Sequence, residues 1–176
     1  MVADKKDRLR EQILIMNTEK PTVYELAENI ASDEVKKSFL DFIEFCVALR
    51  MKPRLYASEK MNMKYKGKMI LRFDPSCLDG NLYIFFTVGF HRELDKILSK
   101  QPADIQQFYV DNIRRCGQEE CTECKPVPKG IVLNILGTNY EFCNTGMRFV
   151  NPTKEQFEYI KKFVVIRREH IKNVAG

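Results

Sequence analysis

Cys116, Cys121 and Cys124 share one short acidic segment, Cys-Gly-Gln-Glu-Glu-Cys-Thr-Glu-Cys, and Cys143 follows downstream. Four of the six cysteines of the chain lie in this span. Zinc takes four ligands in a tetrahedron, and thiolates suit it. Cys121-x-x-Cys124 can place two sulfurs on one ion through a tight knuckle. Cys116 precedes them across a glycine-containing loop that can fold back. Cys143 falls near an expected hairpin turn and can come in from a sheet. A set filled by four cysteines is a structural zinc site, because no position stays open for a substrate.

Other chemistry for the same residues stays open. Cys116, Cys121 and Cys124 also match the plant-type ferredoxin spacing, so an iron–sulfur cluster is an alternative. Free reduced thiols and a redox dithiol are two more. Glu119, Glu120 and Glu123 crowd the loop, and neighbouring carboxylates disfavour an activated thiolate. That weakens the redox readings. Cys77 stands apart and is unassigned.

No catalytic partner accompanies the cysteines. The chain has no G-x-S-x-G, no glycine-rich phosphate loop and no H-E-x-x-H. Its two histidines, His91 and His170, are far apart. An enzyme is thus the secondary reading. A binding or regulatory module with a structural zinc is the first.

The elements that must position this cluster form an α+β pattern. Ser32 opens a helix with Val35, Phe39, Phe42, Cys46 and Leu49 on one stripe, and Pro53 follows its end. Cys46 lies on that stripe and reads as a core residue. Met61, Met63 and Tyr65 alternate with polar residues, and Met69, Leu71 and Phe73 alternate beyond Gly67. These two runs make a hairpin. Its polar side is expected to carry Lys64, Lys66, Lys68 and Arg72. That side is either an anion-binding face or, more simply, a sheet face or edge defended by lysines. Leu82 to Phe90 reads as a central strand covered on both faces. A pocket lined by Tyr83, Phe85 and the hairpin methionines is conceivable, although such residues more simply fill the core.

Two helices are expected over 92–99 and 103–115. Ile131, Leu133 and Ile135 begin a meander that turns at Gly137-Thr138-Asn139 and again at Asn144-Thr145-Gly146. Asn151 or Thr153 caps a last helix, whose inner face carries Ile160, Phe163, Val164 and Ile171, with Arg167 at the rim. The sheet is expected to be mostly antiparallel, built from two hairpin or meander units with helices packed on it. Residues 1–31 form a separate N-terminal helical arm, with Thr22 and Glu25 as a capping box, and 32–176 form the domain.

Composition bounds the function. The 176 residues are 44% hydrophobic, with twelve Phe and seven Tyr, enough for one sizeable core. No run suits a membrane span and no secretory leader is evident, so a cytoplasmic, thiol-reducing setting is expected. The net charge of +5 is spread along the chain with mixed signs. A solvated surface is the simpler reading, and nucleic-acid binding through the N-terminal helices or the lysine hairpin is a further alternative.

Lys36-Lys37-Ser38-Phe39-Leu40, Met51-Lys52-Pro53-Arg54, Tyr65-Lys66-Gly67-Lys68, Cys121-x-x-Cys124-Lys125-Pro126, Ile135-Leu136-Gly137, Tyr140-Glu141-Phe142-Cys143 and Phe149-x-Asn151-Pro152 together give the chain a likeness. It resembles a group of small uncharacterised proteins from anaerobic Gram-positive bacteria that pair a CxxC with a later Cys. The resemblance covers the stretch from the Ser32 helix to the last helix. It implies that Cys121, Cys124 and Cys143 act together, and it implies no reaction.

Overall fold

The computed structural model describes residues 21–56, 60–75, 79–86, 94–115 and 131–174. The elements in chain order are α1 (Val23–Ala27), α2 (Asp33–Ala48), β1 (Pro53–Leu55), β2 (Met61–Tyr65), β3 (Lys68–Asp74) and β4 (Tyr83–Phe86). They continue with α3 (Leu94–Leu98), α4 (Ala103–Asn112), β5 (Ile113–Arg115), β6 (Ile131–Ile135), β7 (Thr138–Val150) and α5 (Lys154–Val174). All strand pairs are antiparallel. The order is β1-β2-β3-β4-β7-β5, with β6 also on β7. This is the α+β fold that the element pattern predicts.

The helix starts follow from local chemistry. Thr22 and Glu25 close the expected capping box: the Glu25 N–H donates to Thr22 Oγ1 at 3.2 Å, and the Thr22 N–H donates to Glu25 Oε2 at 2.7 Å. The Thr22 N–H, and then the Thr22 hydroxyl, donate to the Glu25 carboxyl and hold it below its usual range. Ser32 caps α2 through the Val35 N–H. At the last helix Thr153 is the cap, in reciprocal bonds with Gln156. Asn151 has another task. It sits at φ 46, accepts from the Leu82 N–H at 2.8 Å and ties the end of β7 to the start of β4.

One face of the sheet is packed. Across four strands the register sets Met61, Phe73, Ile84 and Phe149 in a row, and all four are buried. Helices α2, α4 and α5 lie on this inner face. Phe39 of α2 meets Phe73 edge-on, Phe163 of α5 meets Phe86, and Phe108 of α4 stacks on Phe149. Phe42 and Phe157 join α2 to α5. Cys46 is fully buried in this layer, and burial pushes its thiol up to about 12, against a small opposing pull from Lys161. Arg167, expected at the rim, is buried at 7% exposure, and burial lowers its pKa.

Residues 1–20 of the expected arm lie outside the described residues. From Val23 onward the chain belongs to the main core: Val23, Leu26, Ala27 and Ile30 are buried in it. The close approach that seats them is between Ala31 and Gly80. The Ala31 N–H donates to Gly80 O at 3.0 Å. A Cβ on Gly80 would meet Ala31 Cβ at 2.9 Å, and Gly80 has φ 73, so only glycine fits there.

Four sequence expectations change. The β2–β3 hairpin turns at Lys66-Gly67, with φ 45 and 76, as a hairpin turn of that length requires. However, a bulge makes Met63 pair with Leu71 and Lys64 pair with Met69, so Ile70 is an extra residue on β3. Ile70 and Leu71 are therefore both buried. Alternation across Gly67 breaks: Lys68 pairs with Tyr65, on the opposite face from Lys64 and Arg72. Strand β4 buries Ile84 and Phe86 and leaves Tyr83 and Phe85 half-buried, so it is not covered on both faces. Helix α4 stops at Asn112, and its chain continues as β5. Strand β7 runs unbroken through 144–146, where a turn was expected. Gly146, at φ 72, takes up the irregularity there.

Candidate functional site

The cysteine site is only partly within view. Cys116, Cys121 and Cys124 lie outside the described residues, as do Cys77 and His91. The backbone of Cys143 lies in β7, not at a hairpin turn. The strands around it are informative. Phe142, its neighbour, pairs with Arg115 of β5 on one side and with Ile131 of β6 on the other. The described residues on either side of segment 116–130 thus both pair with Phe142. Cys116 follows the paired Arg115 directly. Among the described residues there is no group of three His, Cys, Asp or Glu side chains placed to hold a metal. His170 lies on α5, half-buried, in contact with other groups.

The outer face of the sheet carries a different pattern. Arg54 pairs with Asn62, Asn62 with Arg72, Arg72 with Phe85, and Phe85 with Arg148. One unbroken cross-strand row therefore reads Arg-Asn-Arg-Phe-Arg over β1, β2, β3, β4 and β7. Side chains in register point to the same face. Neighbouring strands are about 4.8 Å apart, so the row is about 19 Å long. It contains no carboxylate. The Arg72 guanidinium lies over the Tyr56 ring at 5.6 Å and that of Arg148 over Phe85 at 5.1 Å. Arg72 Nε also donates to Met69 Sδ. These residues surround a recess of ≈ 450 Å³. Asp74 lies one step along the same face, and Lys60 neutralises it at 3.7 Å.

At the β1 edge the row runs into a cleft of ≈ 480 Å³ lined by Arg50, Lys52, Arg54, Lys64 and Lys66. None of these five is ion-paired with another described residue. Three separate features of the chain bring them together. The Arg-x-Lys-x-Arg alternation of 50–54 turns Met51 into the core and leaves the cations outside. Continuing the β1–β2 register by one residue sets Lys52 opposite Lys64, and like charges in that position repel. The turn adds Lys66.

Two of the five also hold costly backbone conformations. Helix α2 ends with the Met51 N–H on Cys46 O and the Arg50 N–H on Val47 O, the paired bonds of a Schellman motif. The residue at Arg50 must then be left-handed, and it has φ 62 where glycine is preferred. Lys66 has φ 45 at a position that favours Asn or Gly. Each costs about 1 kcal/mol. The α2 dipole offsets part of this for Arg50, and nothing comparable acts at Lys66.

The expected pocket of Tyr83, Phe85 and the hairpin methionines does not form as one unit. Met61 and Met63 are in the core, whereas Phe85 faces outward beside Met69, Arg72 and Arg148, and Tyr83 lies opposite Asp74. The Tyr83 hydroxyl donates to Asp79 Oδ2 at 2.9 Å. Asn81, and then Tyr83, hold the Asp79 carboxyl below its usual range. No described helix is long and apolar enough to cross a membrane. Comparison with protein-family models, curated proteins and solved structures gave no match.

Proposed function

We propose that this chain is a binding module for an anionic ligand, received on the outer sheet face, with a structural zinc held by Cys116, Cys121, Cys124 and Cys143. The observation that carries the anion reading is the meeting of the Arg54–Arg148 row with a cleft of five cations that no described carboxylate balances. Edge defence accounts for Lys52, just before β1, and for Lys64 of β2. It does not account for arginines on the central strands β3 and β7 laid over rings. Repulsion and left-handed backbone are tolerated where a ligand's charge repays them.

The zinc reading is supported by chain topology. Arg115 and Ile131, the described residues on either side of segment 116–130, both pair with Phe142, the neighbour of Cys143. A zinc held by four cysteines leaves no open coordination position for catalysis.

Titration with long-chain inorganic polyphosphate at low salt tests the module. Binding that weakens steadily with added salt is the expected result, and absence of binding at low salt overturns the reading. Elemental analysis after anaerobic purification is expected to give about one zinc per chain. Folded protein free of metal overturns the zinc, and a visible absorption band replaces it with an iron–sulfur cluster.

A further inference from the structure

We infer that the anion is a single-stranded nucleic acid, an inference that rests on the anion-binding role proposed above and specifies it. The outer face offers two kinds of partner side by side. Charges come from the cleft Arg50, Lys52, Arg54, Lys64 and Lys66. Flat π-surfaces come from Phe85 and Tyr56, each already matched with a guanidinium, Arg148 and Arg72. A polyphosphate or a sulfated polymer uses only the first kind. An acidic peptide gains nothing general from the second. A strand with unpaired bases uses both: phosphates follow the cations, and bases lie on rings or on guanidinium planes.

The geometry also separates single strands from duplexes. A major-groove reader inserts a helix or a projecting ribbon. Here the cations and rings lie across a sheet, and Tyr56 is 46% exposed beside them. Bases stacked inside a duplex cannot reach such a surface. Unpaired ones can, and the row of about 19 Å accommodates a few nucleotides before the strand enters the cationic cleft. Asp74 adds little repulsion because Lys60 is on it.

The test uses the full chain and fluorescence anisotropy of a labelled single-stranded oligonucleotide of about 12 nucleotides. Unlabelled duplex of the same sequence and inorganic polyphosphate serve as competitors. The expected result is salt-sensitive binding that both competitors displace poorly. Phe85→Leu keeps apolar bulk but removes the ring, and should weaken the oligonucleotide about tenfold while barely changing polyphosphate. Tyr56→Leu repeats this at an exposed ring, where folding is not at stake. Lys64→Glu should weaken both ligands. Polyphosphate that competes on equal terms, with both Leu variants unchanged, overturns the nucleic acid and leaves the anion module standing. A duplex that binds better than the single strand also overturns it. Loss of all polyanion binding at low salt overturns both readings together.

Discussion

The two faces of this sheet are built from the same strands and obey opposite rules. On the inner face the row Met61–Phe73–Ile84–Phe149 is apolar throughout and buried under α2, α4 and α5. One residue away along each strand, the outer row Arg54–Asn62–Arg72–Phe85–Arg148 holds three guanidinium groups. Hydrophobic burial explains every member of the first row, at about 25 cal/mol per Å² removed from water. It explains none of the arginines in the second. Cations gathered in a row repel one another, so the outer row is better understood as a surface kept for a ligand than as part of what holds the fold.

The sharpest way to break that contrast is to substitute one residue on each face of the same strand. Phe73→Ala removes a ring that meets Phe39 at 5.3 Å in the core. It should cost about 3–5 kcal/mol in chemical denaturation, a large share of a typical total stability. Arg72→Gln, its neighbour on the other face, should stay within about 0.5 kcal/mol while weakening anion binding. Equal costs at the two positions would show that the outer row is structural after all.

The contrast was half legible in the sequence. Local signals carried well: Thr22 with Glu25, Ser32, the turn at Gly67, and the Phe39–Phe42–Cys46 stripe all act as their spacing predicts. What failed was parity and distance. The two-residue turn sets Lys68 opposite Tyr65, and the Ile70 bulge beyond it brings Arg72 to the face of Lys64; no alternation pattern announces a single extra residue. The apolar run at Tyr83–Phe86 suggested a strand covered twice, because rings that meet guanidinium groups on an outer face look the same as rings in a core. The turn expected at Asn144-Thr145-Gly146 had turn chemistry, but it is taken up as an irregularity within β7, where the pairing with β5 jumps from Phe142 to Met147. The cationic cleft joins residues 50–54 to residues 64–66 through an α-helix end, an edge strand and a hairpin. A net charge of +5 spread along the chain conceals that meeting.

Alkaline pH tests the burial of the inner face. Burial raises the Cys46 thiol from an ordinary value near 9.0 to about 12. Below pH 9 the thiol is protonated in both folded and unfolded chains, and its contribution to stability is fully present. Above pH 9 the unfolded chain releases the proton and the folded one does not, so stability falls, at about 1.4 kcal/mol per pH unit. The loss continues until about pH 12. Cys46→Ala should flatten the decline between pH 9 and 11 without abolishing it, because burial raises the Tyr109 hydroxyl as well. A variant whose stability falls as steeply as the parent would place Cys46 in contact with solvent.

The smallest effect gives the cleanest separation of the two faces. Thr153 caps α5 through the Gln156 N–H at 3.2 Å, and Gln156 Oε1 accepts from the Thr153 N–H at 2.9 Å. Helix α5 supplies Phe157, Ile160, Phe163 and Val164 to the inner core, so its start is tied to that face only. Thr153→Ala leaves one backbone donor without its cap and should cost about 1 kcal/mol in denaturation. It touches none of Arg54, Arg72, Phe85 or Arg148, and anion affinity should not change. If a cap on α5 did alter that affinity, the outer surface would be responding to helix packing on the opposite side of the sheet, and the two faces would have to be treated as one coupled unit.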